Sequence, residues 1–412
     1  MASFPFYTMD DFSFSGKTVY LRIDINSPMN PVSGEILDDT RFHFYLDTIQ
    51  ELENSKVVIV SHQGRPGDND FTGLRLHSDR LSKIIGRNVK FIDALFGSQV
   101  KKEISSMKNG DILMLENSRF YSEEVAIKFD DETMANTNIV KALSGLFDYY
   151  IIDAFATVHR PQTTLTGFKH IAPNIAGRLM ESEIKHIDEF KMSELKPKIA
   201  VLGGAKISDA IKSSKLFMEK NIVDDIILGG VAGNIFLWAS GFDIGKRNKE
   251  FIIKQNRQYE TLLADCSDIL SRYKEHIILP EDFILNPSQR LIGISDKVPS
   301  DELLADIGMK TVNKFSSIIK NAGSIFLNGP MGMYEIGEYS IGTREIFNYI
   351  AASGAKKIVG GGHTINAINN FGLKNDMGYI STGGGALINY LSGDSIPVID
   401  SLIESKKIFG GN

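Results

Sequence analysis

The chain has 412 residues, more than a single hydrophobic core usually serves, so we expect two domains of about 150–200 residues each. Its 42% hydrophobic and 23% charged residues are typical of a folded globular protein. The formal net charge of −6 disfavours a general nucleic-acid binder, which would normally be basic. The single cysteine, Cys266, excludes an internal disulfide and fits a reducing compartment.

The N-terminal stretch MASFPFYTMDDF carries early acids and has neither a basic nor an apolar segment, so it does not resemble a signal peptide. No apolar run approaches the ~20 residues that a membrane-spanning helix needs. We therefore expect a soluble, cytoplasmic protein that binds neither nucleic acid nor membrane.

Four strand-like runs occur in the first half of the chain, and each is followed by polar residues that include Arg or His. They are TVYLRIDIN (18–26), KVVIVSHQGRP (56–66), DILMLENSRF (111–120) and YYIIDAFATVHR (149–160). Because parallel sheets bind ligands at the C-terminal ends of their strands, this edge predicts a site for a polyanion. Arginine suits that role because its planar fork can meet two oxygens at once.

Five strand-like runs in the second half end in glycines or in Asn-Gly-Pro. They are KIAVLGGAK (198–206), DIILGGVAG (225–233), SIFLNGPMG (324–332), KIVGGGH (357–363) and YISTGGG (379–385). One such pair of glycines can simply form a tight turn, but their recurrence favours close approach of backbone to a ligand. Helices that begin there would point free N–H groups at an anion such as phosphate. Lys206 follows one of these turns and could reach the same anion.

The alternation of strands and helices predicts an α/β fold with two doubly wound parallel sheets. We expect an N-terminal domain over residues 1–176, a connecting helix and hinge over 177–195 and a C-terminal domain over 196–391. Residues 392–412 are expected to return to the first domain. The usual nucleotide fingerprints, G-x-G-x-x-G after the first strand and a P-loop, are absent, as are nucleophile triads and metal-ligand clusters. Phosphoryl transfer remains open because it needs mainly positioning and charge.

Nine motifs together resemble the phosphoglycerate kinase family, in order from about residue 19 to 393. They are LRIDIN, DDTRF, SHQGRP, ENSRF, DAFATVHR, LGGAKISD, NGPMGMYE, VGGGHT and STGGGA. GGGHT and ATVHRPQTT look most similar to the archaeal branch. The resemblance implies reversible transfer of a phosphoryl group from 1,3-bisphosphoglycerate to ADP, with Mg²⁺ carried on the nucleotide. It also implies hinge bending, which we expect near Met180–Glu181 and near Asp306–Lys310, and a monomer.

The resemblance further implies which residues bind and react. Phosphoglycerate would be held by the first domain through Asp24, Ile25, Asn26, Arg41, His62, Gln63, Gly64, Arg65, Arg119 and Arg160. The nucleotide would be held by the second domain through Gly203, Gly204, Lys206, Asn328, Pro330, Glu335, Gly360, Gly361, Gly362, His363 and Thr364. Catalysis would depend on Arg41, Lys206, Gly362, Gly384 and Gly385. No metal ligand from the protein is expected.

Three positions depart from the family pattern. His363 stands where most members have an aspartate that helps to hold the nucleotide-bound magnesium, which leaves the placement of the metal open. Ala210 stands where a second lysine is usual, and Lys212 is a candidate to replace it. Gln162 stands where a second histidine is usual.

Two other functions remain as alternatives. The first is a nucleotide-dependent oxidoreductase, against which the missing G-x-G-x-x-G counts and which binding of NAD(H) would reveal. The second is a relative that binds phosphometabolites without catalysis. Retention of Arg41, Lys206 and both glycine triplets argues against it, and turnover would decide.

Overall fold

The computed structural model describes residues 4–125 and 130–410. The chain forms two compact units, Met1–Lys185 with Ser395–Asn412, and His186–Asp394. The change of unit at residues 185/186 lies inside one helix, Arg178–Lys191, and the chain crosses again at residues 394/395. Asp306–Lys310, one of the expected hinge positions, lies well inside the second unit and at neither crossing.

The first unit is built on a seven-stranded parallel sheet. Its strands are β1 (Tyr7–Thr8), β2 (Thr18–Arg22), β3 (Lys56–Val60), β4 (Val89–Phe91), β5 (Ile112–Met114), β6 (Tyr149–Ile152) and β7 (Asn174–Ala176). The spatial order is β1-β7-β6-β2-β3-β5-β4. The centre of the sheet consists of apolar residues buried on both faces, as β3 (KVVIV) illustrates. The four predicted strands are confirmed, whereas the short strands β1, β4 and β7 were not predicted.

The second unit contains two sheets. Its strands are β8 (Lys198–Leu202), β9 (Asp225–Leu228), β10 (Ile277–Ile278), β11 (Asp282–Asn286), β12 (Leu291–Gly293), β13 (Leu303–Ile307), β14 (Ser324–Asn328), β15 (Lys356–Gly360) and β16 (Tyr379–Ile380). Six strands form a parallel sheet in the order β10-β9-β8-β14-β15-β16, which includes all five predicted strands. The other three form an antiparallel sheet, β12-β11-β13, that was not predicted.

The helices fill the connections between the strands. They are α1 (Thr40–His43), α2 (Leu46–Glu51), α3 (Arg75–Ile85), α4 (Ser98–Ser106), α5 (Ser122–Val125), α6 (Asp131–Ala135), α7 (Asn138–Leu143), α8 (Thr163–Thr166), α9 (Arg178–Lys191), α10 (Ile207–Glu219), α11 (Gly230–Ala239), α12 (Lys246–Gln255), α13 (Tyr259–Tyr273), α14 (Met309–Asn321), α15 (Ile341–Ala352), α16 (Gly362–Asn370), α17 (Gly384–Leu391) and α18 (Pro397–Phe409). The α/β class with parallel sheets in two units is therefore confirmed.

The helices α10, α11, α16 and α17 begin within a few residues of strand ends in the second unit. Their free N–H groups and positive dipole ends consequently collect along one edge of its parallel sheet. In the first unit, loops that carry charged side chains follow the same ends of β2, β3, β5 and β6. Among the described residues, no helix is long and apolar enough to span a membrane.

Candidate active site

The sheet edge of the first unit carries a cluster of cationic side chains. Arg119 is only 5% exposed, Arg160 is half-buried and Arg65 is exposed. Within residues 4–125 and 130–410, none of the three has a carboxylate partner within 4 Å, although Arg119 donates to the carbonyl oxygen of Gly64. Three positive charges that lack carboxylates on a strand-end edge form a site for an anion with several charged oxygens.

Repulsion between neighbouring positive charges contributes to the lowered pKa values of Arg119 and Arg160. Burial, together with the positive charges of Arg160 and Arg22, lowers the pKa of Arg119 to about 10. Burial and the positive charge of Arg65 also lower the pKa of Arg160. An anionic ligand would relieve this repulsion, so the cluster gains electrostatic stabilisation when such a ligand binds.

Arg41 is held differently, by an ion pair with Asp24. The distance between Arg41 Nη1 and Asp24 Oδ2 is 2.9 Å, and Arg41 is 38% exposed whereas Asp24 is 3% exposed. Burial raises the pKa of Asp24, but the positive charges of Arg41 and Arg22 and a hydrogen bond from the backbone of Asn26 keep it below its usual value, so the group is a carboxylate. The structure therefore gives Asp24 the task of orienting Arg41.

The ring of His62 is neutral and has a defined tautomer. Burial drives its pKa well below the usual value, so Arg41 is the cation that pairs with Asp24 near pH 7. Arg22 Nη2 lies 3.0 Å from His62 Nδ1, and because an arginine can only donate, Nδ1 accepts. The ring proton is thus on Nε2, 3.7 Å from Asp24 Oδ1.

Two residues expected to bind phosphoglycerate have buried side chains. Ile25 is fully buried in the core. Gln63 is also fully buried, and its amide bonds the backbone of Ser27 at 2.9 and 3.0 Å and the ring of His77 at 2.9 Å. The Gln63 side chain therefore holds the loop that carries Ser27, and contact of phosphoglycerate with Ile25 or Gln63 would have to come from their backbone.

Asn26 and Gly64 connect those loops directly. The Gly64 N–H donates to Asn26 Oδ1 at 2.8 Å, and the Gly64 carbonyl accepts from Arg119. Gly64 has a φ of +64°, and an added Cβ would lie 2.7 Å from the backbone of Phe71, so only glycine fits here. The local sequence thereby fixes the position of Arg119.

The glycines of the second unit fall into two groups. A Cβ on Gly203 or Gly329 would clash with the backbone of the facing loop, so these glycines serve close packing of the β8 and β14 ends. A Cβ on Gly362 or Gly385 would meet nothing within 4 Å. The latter two lie in the first turns of α16 and α17 and face open space, as a ligand-binding backbone would.

The two glycine triplets lie side by side. A Cβ on Gly384 would lie 3.4 Å from Gly361 Cα. The last two glycines of each triplet line one small cavity of about 60 Å³, together with the loops after β8 and β14. Its lining includes Gly203, Gly204, Lys206, Asp209, Asn328, Pro330, Gly361, Gly362, His363, Thr364, Gly384 and Gly385. The structure thus brings most of the predicted nucleotide residues together.

Lys206 is exposed at the N-terminus of α10 and has no ion-pair partner among the described residues. Its amino group is consequently available to an anion in the small cavity. Lys212, the candidate replacement for the missing second lysine, instead donates to Asn389 of α17 at 3.1 Å and does not line the cavity. The structure therefore gives that replacement no support.

A second, apolar cavity of about 190 Å³ adjoins the first. Gly204, Ala205, Pro330 and His363 line both cavities. The lining is completed by Gly230, Val231, Asn234, Asn248, Phe251, Ile252, Leu303, Leu304, Ala305, Gly332, Met333 and Glu335. A single ligand with an apolar ring at one end and an anionic group at the other would fit both spaces.

Most of this apolar lining was not found from sequence. Only Glu335 and the glycine-loop residues were predicted, because α11, α12 and β13 carry no motif that points to a ligand. Part of the lining comes from an apolar strand of the separate antiparallel sheet, which the sequence patterns did not predict. Leu303, Leu304 and Ala305 come from β13 of that sheet.

Two predicted nucleotide residues have packing roles. The Thr364 hydroxyl is fully buried and accepts from the Gly329 N–H at 2.7 Å. Gly360 is the last residue of β15 and packs against Leu387. The Thr364 hydroxyl therefore fastens the β14 loop to α16, and binding of the nucleotide by Thr364 stays a prediction.

His363 lines both cavities, and Glu335 lines the apolar one. His363 Nδ1 lies 3.7 Å from Glu335 Oε1, and both side chains are largely exposed. No group of three or more His, Cys, Asp or Glu suited to a metal ion occurs within the part of the chain that the structure describes.

Comparison with known proteins identifies the relatives of this chain. The sequence model of the phosphoglycerate kinase family matches residues 9–394. A phosphoglycerate kinase of Thermoplasma acidophilum is 56% identical over 98% of this chain and 99% of its own length. One from Methanothermus fervidus is 42% identical over 98% of both chains.

A solved structure gives the same result. The crystal structure of phosphoglycerate kinase from Pyrococcus horikoshii OT3 superimposes with a TM-score of 0.90 at 38% identity. The match covers 98% of this chain and all of that one. The similarity therefore extends over the entire fold and covers both sheet edges.

Proposed function

Because the chain belongs to the phosphoglycerate kinase family, we propose that it catalyses reversible phosphoryl transfer from 1,3-bisphosphoglycerate to ADP, giving 3-phosphoglycerate and ATP. The observation that supports this most directly is the pair of unlike sheet edges. One carries three arginines without carboxylate partners, and the other carries glycine-lined helix N-termini beside an apolar cavity. A small polyanion fits the first edge and a nucleotide fits the second.

On the first unit, Arg65, Arg119 and Arg160 would bind the phosphate and carboxylate oxygens of phosphoglycerate. Arg41, held by Asp24, would act on the group being transferred. Asn26 and His62 would position the loops and the basic side chains around the substrate. Electrostatic pairing of this kind is strongest where the cations are partly buried, as Arg119 is.

On the second unit, the apolar cavity would take the nucleoside and the small cavity its phosphates. The N–H groups at the start of α16, near Gly362, would bind the nucleotide phosphates, and those at the start of α17, near Gly384 and Gly385, would receive the group in flight. Lys206 would neutralise charge that builds up during transfer. Glu335, which lines the apolar cavity, would bind the ribose.

The chemical step needs no general base in the direction of ATP consumption. The attacking group is the carboxylate of 3-phosphoglycerate, which is already ionised at pH 7. One of its oxygens forms a bond to the γ-phosphorus as the bond to the bridging oxygen of ADP breaks, and the electron pair of that bond stays on ADP. The nucleotide would enter as its Mg²⁺ complex, which supplies further charge neutralisation.

Transfer also requires that the two substrates meet without water, so we propose a hinge motion that closes the two units during turnover. Met180–Glu181, in the first turn of α9, remains the proposed hinge position. We further propose a cytoplasmic monomer.

A coupled assay tests this function. Purified protein is supplied with 3-phosphoglycerate, ATP and Mg²⁺, and glyceraldehyde-3-phosphate dehydrogenase with NADH reports 1,3-bisphosphoglycerate. We expect loss of NADH that needs both substrates and the metal. No signal with ATP, and none with GTP, would contradict the kinase function and leave binding without catalysis. Reduction of NAD without the coupling enzyme would indicate an oxidoreductase instead.

A further inference from the structure

The apolar cavity of the second unit contains one buried polar side chain that the protein leaves without a partner. Asn234 lies on α11, one turn after Val231, and both line the cavity. Asn234 is 4% exposed, and its amide makes no hydrogen bond to any residue within 4–125 and 130–410. The inference below rests on the proposed function, since it takes this cavity as the seat of the nucleotide base.

The neighbouring Asn248 shows what a structural asparagine in this lining looks like. Its Nδ2 donates to the carbonyl oxygens of Ile244 at 2.7 Å and Glu302 at 3.1 Å, and its Oδ1 accepts from the Leu304 N–H at 3.0 Å. Asn248 is therefore fully occupied in holding α12 to β13. Asn234, equally buried, has no such role.

Because Asn234 lines the cavity and has no protein partner, its amide can form hydrogen bonds only with water or with a ligand in that space. Native proteins rarely keep such a group unless a ligand or water completes it. Most of the other side chains that line the cavity, such as Phe251 and Ile252, are apolar. A bound ligand with polar edge atoms would satisfy the amide in this otherwise apolar space.

The amide has one acceptor, Oδ1, and a donor group, Nδ2. Adenine presents the matching pair along one edge, with the N6 amino group as donor beside N7 as acceptor, and an asparagine can bond both at once. Guanine and hypoxanthine present two acceptors there, O6 and N7, and would leave Oδ1 unpaired. No carboxylate lines the cavity except that of Glu335.

We propose that Asn234 reads the N6–N7 edge of adenine and makes this chain select adenine nucleotides. The amide is a specificity-determining group, distinct from the glycine backbone and Lys206, which bind phosphates and do not distinguish bases.

The test is equilibrium binding of three nucleoside diphosphates with Mg²⁺ to the full chain. ADP has both edge atoms, IDP replaces the N6 amino group by an oxygen, and 7-deaza-ADP lacks N7. For the wild type we expect IDP and 7-deaza-ADP each to bind roughly five- to tenfold more weakly than ADP. For Asn234→Leu, which is similar in size and apolar, we expect all three to bind within about twofold of one another.

Val231→Ala is the matched control, since Val231 lines the same cavity from the same helix but has no polar group. It should weaken all three nucleotides by a similar factor and keep their order. A wild type that binds the three equally, or an Asn234→Leu variant that keeps the discrimination, would overturn the proposal. If Asn234→Leu does not fold, Asn234→Asp takes its place: it keeps the size and an acceptor but has no donor for N7, so 7-deaza-ADP should then bind as tightly as ADP. Adenine selectivity without transfer to 3-phosphoglycerate would contradict the proposed function but leave the role of Asn234 in base selection intact.

Discussion

At the scale of single residues, some cationic side chains bond a protein partner, whereas others have no carboxylate partner and can bind a ligand. Arg41 is paired with Asp24 at 2.9 Å, and Lys212 is turned to Asn389. Lys206, Arg119 and Arg160 have no carboxylate partner in the described segments. A charge that the protein leaves uncompensated at a strand-end edge is more informative about a ligand than one that it neutralises.

Replacement of Lys206 tests this distinction. Lys206→Ala should lower kcat about 10²–10³-fold, because a preorganised charge is removed from the developing transition state. Lys212→Ala, six residues along the same turn and helix, should remain near the wild-type rate. Steady-state kinetics with both substrates give the comparison. Equal losses of kcat in the two variants would contradict a specific role for the Lys206 charge.

At the scale of elements, the strand ends and helix starts carry the chemistry, but individual glycines differ in role. Gly203 and Gly329 allow two loops to pack, whereas Gly362 and Gly385 leave space in front of two helix N-termini. The sequence shows the same letter in all four places. Only the neighbouring atoms reveal which glycine serves the fold and which serves the ligand.

Alanine at two of these positions should therefore have opposite consequences. Gly385→Ala should keep or slightly raise the melting temperature, since alanine favours a helix by about 1 kcal/mol, yet it should lower kcat/KM by placing a methyl group in the cavity. Gly203→Ala should lower the melting temperature because its Cβ clashes with Pro330. Thermal melts and kinetics on both variants check this pair. A fully active Gly385→Ala would remove α17 from the site.

The helix that crosses between the units is anchored by a buried acid. Asp153 Oδ1 accepts from the Met180 N–H at 2.8 Å in the first turn of α9, and Oδ2 accepts from Thr48 Oγ1 at 2.6 Å. Burial raises the pKa of Asp153 to about 7 despite these bonds. An unfolded chain releases the same proton near pH 4, so between these values the folded state binds more protons.

This difference predicts a pH-dependent effect of Asp153→Asn. The contribution of Asp153 to stability is largest below pH 4 and falls as the pH rises towards 7, by on the order of a few kcal/mol. The non-titrating variant should therefore gain stability relative to wild type between pH 5 and pH 8. Urea unfolding at both pH values measures this, with the exposed Asp79→Asn as control. A difference in the free energy of unfolding between wild type and variant that stays constant with pH would contradict this expectation.

At the scale of the whole molecule, the C-terminal helix belongs with the start of the chain. The α18 backbone bonds Val158 through Val398 N at 3.2 Å, Ser405 Oγ accepts from Asn174 N at 2.8 Å, and Glu404 pairs with Lys169 at 2.7 Å. Val398, Ile399 and Leu402 are buried. Each such side chain contributes roughly 1.5–3 kcal/mol, so α18 supplies much of the net stability of its unit.

Truncation after Asp394 should accordingly destabilise the first unit. We expect a lower melting temperature and weaker binding of 3-phosphoglycerate, because Val158 lies two residues before Arg160, while ADP binding persists on the second unit. A chain that ends at Phe409 retains α18 and should behave as wild type. Calorimetry and ligand titration provide the readouts. Unchanged 3-phosphoglycerate binding in the shorter chain would contradict the expected role of α18.

Sequence patterns predicted the two parallel sheets because long apolar runs bounded by polar or glycine residues mark buried strands clearly. They missed the β11–β13 sheet, whose strands are short and carry no motif. They also did not show that the side chains of Gln63 and Ile25 are buried, since a motif does not show which way a side chain points. Asn234 was invisible for a similar reason: it sits inside an apolar helix, and only the cavity beside it reveals its unpaired amide.

The most direct measurement of the central claim, that each sheet edge takes its own substrate, is a pair of titrations on the wild type and Arg160→Met. The protein is titrated with 3-phosphoglycerate and, separately, with Mg-ADP. We predict that Arg160→Met loses at least tenfold in affinity for 3-phosphoglycerate and keeps its affinity for Mg-ADP, because charged hydrogen bonds of about 1.5–3 kcal/mol are lost at one edge only. Unchanged affinity for 3-phosphoglycerate, or an equal loss for both ligands, would contradict the account.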